Sequence, residues 1–140
     1  MKRIIVASHG PLSRAIIESA ALIASENAVK NIYSISVTMD TSHDEVIREV
    51  NKVFNEFDQN DEILALTDVY GGSITTVISE YIGIRSLHII TGINLGMLLE
   101  TIFMLDQMEI SELIEHLMQC GKDGIRYVNE ELYSSEGEEI

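Results

Sequence analysis

The stretch Arg3–Ala24, RIIVASHGPLSRAIIESAALIA, decides the fold. It opens with a short apolar run, Arg3–Ala7, breaks at Ser8-His9-Gly10-Pro11, and resumes in Leu12–Ala24, rich in Ala, Leu and Ile. The first part reads as a β-strand and the second as a helix, with a Gly-Pro turn between them. The same alternation recurs downstream. Ile32–Val37, Ile63–Thr67 and Leu87–Thr91 read as further strands. In His43–Phe57 the apolar residues Val46, Ile47, Val50, Val53, Phe54 and Phe57 fall on one helical face. Ser73–Ile82, Gly96–Leu105 and Glu109–Cys120 read as the remaining helices, with Gly121 as a stop for the last.

Strands alternating with helices predict an α/β fold around a mainly parallel sheet. Continuous apolar strands predict that helices cover both sheet faces. The expected architecture is a small doubly wound sheet in the flavodoxin-like order 2-1-3-4. Gly124–Val128 is a candidate fifth strand, at an edge or paired with another chain. One domain over 1–129 is expected, followed by an acidic, flexible tail over 130–140.

Composition narrows the function. The chain has 140 residues and a formal net charge of -14. A surface this acidic excludes a nucleic-acid or anionic-membrane binder, which needs a dense basic face. It would steer a basic protein partner. No apolar run reaches the roughly 18 residues of a membrane span. The single cysteine, Cys120, permits no internal disulfide and fits a cytoplasmic chain. The four histidines, His9, His43, His88 and His116, are scattered, so no metal site is expected. No Walker loop and no Gly-x-Ser-x-Gly elbow is present.

Doubly wound sheets place their sites beyond the carboxyl ends of the strands, at the switch between the first and third. His9 follows the first strand and Asp68 the third, so the expected order sets them facing across a crevice. A carboxylate on one ring nitrogen fixes the histidine tautomer and leaves the other nitrogen as base or nucleophile. Gly71-Gly72-Ser73 follows Asp68 and leads into a helix, a place to hold a phosphoryl group without Lys or Arg. Gly10, and Asn94 in the loop after the fourth strand, are candidate walls of the crevice. His43 reads as a helix-start residue, His88 as packed within a strand, and Cys120 as unactivated.

Four motifs in register resemble one family. IIVASHG (4–10), LSRAIIES (12–19), LTDVYGGS (66–73) and TGINLGML (91–98) are similar to the IIA domain of the mannose-fructose-sorbose family of the phosphoenolpyruvate-dependent sugar phosphotransferase system. The resemblance implies that His9 accepts a phosphoryl group from HPr and passes it to a IIB protein or domain. Asp68 would orient His9, and Gly71, Gly72 and Ser73 would lie near the phosphoryl group. It implies no cofactor, a homodimer that exchanges a C-terminal strand, and membrane contact only through IIC and IID components. Ile74 replaces the family's proline, Thr75-Thr76 stands where an asparagine is common, and Gly96 replaces the proline of the last motif. The alternative is a IIA-like regulatory module, phosphorylated on His9 but signalling through a protein partner. A flavin- or nucleotide-binding domain and an aspartate-phosphorylated receiver are weaker rivals: no phosphate loop follows the first strand, and a receiver needs an early acidic pair.

Overall fold

The computed structural model describes residues 1–138. Four strands, β1 (Lys2–His9), β2 (Ile32–Val37), β3 (Glu62–Thr67) and β4 (Ser86–Thr91), form one sheet in the order β2-β1-β3-β4. All three pairings are parallel. The helices are α1 (Leu12–Ile23), α2 (Glu26–Val29), α3 (His43–Asn55), α4 (Ser73–Ser79), α5 (Leu95–Met104), α6 (Ile110–Asp123) and α7 (Val128–Glu138). This is the expected flavodoxin-like order. None of these helices is long and apolar enough to cross a membrane.

The central strands explain their own composition. Side chains alternate across a strand, so a continuous apolar run needs a core on each face. Ile5 and Ala7 of β1 join Val46, Val50 and Phe54 of α3 and Ile74, Val77 and Ile78 of α4 on one face. Ile4 and Val6 join Ile16 and Ala20 of α1, Met97 and Leu98 of α5, and Leu113 and Leu117 of α6 on the other. Ile63, Leu64, Ala65 and Leu66 of β3 are fully buried. Each large apolar side chain buried this way stabilises the fold by about 1.5–3 kcal/mol.

Three features depart from the sequence reading. The first is Gly121, which does not end α6. It is buried inside the helix, and a Cβ there would stand 2.6 Å from Met97 Cε. The glycine is there for close packing between α5 and α6. The second is the fifth strand: Gly124–Val128 forms none. Turn bonds from Gly124 N to Cys120 O and from Ile125 N to Lys122 O carry the chain off the end of α6. Among the described residues it pairs with no strand of the sheet. The third is the acidic tail, which is helical from Val128 to Glu138. Glu130 and Glu131 sit in the first turn of α7, where negative charge favours the helix dipole, and Arg126 Nη1 pairs with Glu131 at 2.6 Å. Residues 139–140 of the expected tail lie outside the described residues. The short α2 carried no periodic signal; Ser25 caps it by accepting a bond from Ala28 N.

Candidate functional site

β1 ends at His9, and Asp68 is the first residue past β3. The register pairs Ala7 with Thr67, so the two strand ends come out side by side. His9 Nδ1 lies 2.8 Å from Asp68 Oδ2, and the His9 backbone N–H donates to the same oxygen at 2.8 Å. The Val69 N–H donates to Asp68 Oδ1, also at 2.8 Å. Burial pushes the Asp68 carboxyl up, but the bonds from the His9 amide, the His9 ring and the Val69 amide outweigh it and hold it below the usual carboxylate range. An ionised carboxylate only accepts, so Nδ1 carries a ring proton, and in the neutral ring Nε2 keeps its lone pair. The His9 side chain is 49% exposed, open to a second molecule, whereas that of Asp68 is only 10% exposed.

The glycines shape this pair. Gly10 adopts φ +61 and its N–H donates to Val37 O at 2.7 Å, which turns the chain sharply after His9. Gly72 has an ordinary extended backbone, but a Cβ on it would stand 2.8 Å from His9 Cε1 and 3.2 Å from Val69 Cγ2. The imidazole Cε1 therefore lies close to bare backbone. Ser73 opens α4 and lines, with His9, Gly10, Val37, Thr38, Met39 and Thr41, an open cavity of about 460 Å³. No Lys or Arg lines it.

The structure brings His9, Gly10, Asp68, Gly72 and Ser73 together, with Gly71 in the same turn at φ +78. Asn94 stands apart from that cavity. Its Oδ1 caps α5 by accepting from Met97 N at 3.0 Å, and its Nδ2 donates to Gly121 O at 2.9 Å. It lines a smaller cavity with Met97, Met118 and Ile125. The loop before it buttresses the acid from behind: Gly92 N donates to Asp68 O and Ile93 N to Thr67 O.

Sequence reasoning missed several residues. Thr38, Met39 and Thr41 face His9 from the loop after β2; the order 2-1-3-4 alone would have pointed to them, because β2 neighbours β1. Ser8 and Ser13 lie beneath the turn: Ser13 N donates to Ser8 Oγ at 2.7 Å, and Ser13 Oγ sits 2.9 Å from the hydroxyls of both Ser34 and Ser36. The other candidates behave as ordinary structure. Ser42 caps α3 at His43, His88 is half-buried in β4, and His116 Nε2 pairs with Glu100 at 2.9 Å. Burial, with Glu100 and Asp123 nearby, pushes the Cys120 thiol up and away from reactivity.

Known proteins share this fold. The family model for the PTS system fructose IIA component matches residues 3–118. The phosphotransferase system component EIIA from Streptococcus agalactiae is 25% identical, with a TM-score of 0.80 over 92% of this chain and 98% of that one. The mannose/sorbose specific IIA subunit from Enterococcus faecalis is also 25% identical, with a TM-score of 0.81 over 91% and 95% of the two chains. A sigma-54 interaction domain protein from Enterococcus faecalis, 18% identical with a TM-score of 0.68 over 89% and 93%, shares the fold. The chain belongs to the fructose IIA component family of the sugar phosphotransferase system.

Proposed function

We propose that the chain is a phosphohistidine carrier. Nε2 of His9 attacks the phosphorus of the phosphohistidine on HPr. The new N–P bond forms in line as the donor's N–P bond breaks, and the donor imidazole leaves with that electron pair. Positive charge develops on the His9 ring, and the Asp68 carboxylate stabilises it through Nδ1–H. Gly71, Gly72 and Ser73 hold the phosphoryl group beside the ring, with the Thr38 and Thr41 hydroxyls across the cavity. The phosphoryl group then passes to a IIB protein or domain by the same geometry in reverse. The reaction takes place in the cytoplasm, and sugar uptake follows in the IIC and IID components. Positioning and charge stabilisation supply the catalysis.

The single observation that carries this reading is the 2.8 Å contact between His9 Nδ1 and Asp68 at an exposed strand end. Family membership supplies the reaction class. The carrier is proposed to work as a homodimer. The outer edge of β4 pairs with no strand among the described residues, and Ile125, 82% exposed, and Tyr127 stand uncovered nearby in sequence to α6. An open edge and uncovered apolar side chains both favour a second copy.

A discharge experiment tests the function. Purified chain loaded by phospho-HPr should lose its phosphoryl group when a IIB protein of this family is added. Loading without discharge to any such IIB protein would point to the regulatory alternative. Failure to load would overturn the carrier reading.

A further inference from the structure

One buried hydroxyl spans the catalytic acid. Thr75, in the first turn of α4, is buried, and its Oγ1 lies 2.9 Å from Thr67 Oγ1 and 3.2 Å from the Val69 carbonyl oxygen. Thr67 is the last residue of β3 and fully buried. Val69 is the first residue past Asp68. The two chain neighbours of Asp68 are therefore tied to a single oxygen. The Val69 carbonyl has one other bond, a long one of 3.4 Å from Gly72 N, while the Val69 amide fixes Asp68 Oδ1 at 2.8 Å. Thr76, the next threonine, is exposed and bonds back to Gly72 O of its own turn. It has no part in the bridge.

We propose that Thr75 is a positioning residue for phosphoryl transfer: its hydroxyl holds the Thr67–Val69 bend that aims the Asp68 carboxylate at His9 Nδ1. It thereby sets the tautomer and rotation of the reacting ring. The transfer step rests on the carrier reading above; the ring geometry does not. Valine has the shape of threonine but neither donates nor accepts a hydrogen bond. In Thr75→Val the fully buried Thr67 hydroxyl loses its partner, and the Val69 carbonyl keeps only its long bond. The bend is then free to shift, and the contact between Asp68 and His9 loosens. Serine keeps the hydroxyl and should restore both.

Two measurements test this on the full chain. The first is ¹⁵N NMR of the histidine rings at one fixed alkaline pH, in wild type, Thr75→Val and Thr75→Ser. The expected result is one His9 tautomer, protonated at Nδ1, in wild type and the serine variant, and a mixture in the valine variant. The second is the kinetics of loading from phospho-HPr. Thr75→Val should lower kcat by roughly 10- to 100-fold, the cost of a misplaced reacting group. Its KM for phospho-HPr should stay within about twofold, because Thr75 is buried and the substitution leaves the surface side chains unchanged. Wild-type tautomer and kcat in a folded valine variant would overturn the proposal, as would a serine variant no better than valine. If the valine variant does not fold, Thr67→Val removes the other end of the bridge and must give the same tautomer mixture. A tautomer shift in a chain whose wild type never loads would uphold the positioning role and overturn the carrier reading.

Discussion

As the proposed phosphoryl acceptor, His9 needs neighbours that leave it the right lone pair, and each contributes through a different force. Asp68 acts by charge and hydrogen bonding. Asp68→Asn keeps the shape but lets the side-chain nitrogen turn toward the ring, which favours the wrong tautomer. Loading from phospho-HPr is expected to fall roughly 10²- to 10⁴-fold, the range for a lost proton-positioning group. Gly72 acts by absence. Its backbone conformation suits alanine, so Gly72→Ala should fold normally, yet its Cβ would sit 2.8 Å from His9 Cε1. The ring or the loop must move, and the loading rate should drop by about tenfold or more with an unchanged melting temperature. His9 and Asp68 were legible in the sequence because strand order alone sets them side by side. Gly72 was legible as a glycine but not as the floor under the ring, since that depends on a close approach no spacing reveals. Thr75 was hidden: read along the chain, it is one of two adjacent threonines in a helix.

The elements were legible where periodicity is strong. Strands β1 to β4 and helices α1, α3 and α5 lie within a few residues of their expected bounds, because each packs an apolar face against the sheet. Helix ends were less legible. Gly121 reads as a stop, but packing against Met97 and the bond from Asn94 carry α6 through it. Asn94 shows the same limit. From the sequence it borders the crevice; in the structure it ties the start of α5 to α6. Asn94→Ala removes a helix cap and a cross-helix bond, together worth about 2 kcal/mol. Urea unfolding should show that loss, while loading at His9 should remain near the wild-type rate.

At the scale of the whole molecule, the acids decide how the chain responds to pH. Asp61, nearly buried, is held below the usual carboxylate range by the Arg3 guanidinium at 2.8 Å; burial opposes this, and the Asp58 amide reinforces it. Asp68 is held low as well. A carboxyl whose folded pKa is depressed binds its proton less readily than in the unfolded chain. Its stabilisation is complete above the unfolded value of about 3.9 and is lost as pH falls through the lower folded value. The melting temperature should therefore change little down to about pH 5 and fall steeply below about pH 4. Asp61→Asn should flatten part of that fall. The net charge of -14 adds a kinetic effect: if phospho-HPr is steered by opposite charge, its association rate should fall as salt rises, with kcat unchanged.

The expectations about loading all hang on His9 as the phosphoryl acceptor. The direct measurement is intact mass of wild type and His9→Ala after incubation with phosphoenolpyruvate, enzyme I and HPr. One acid-labile phosphoryl group on wild type and none on the variant is the expected result. An unlabelled wild type, beside a IIA protein labelled in the same mixture, would contradict the carrier function, as would equal labelling of wild type and His9→Ala.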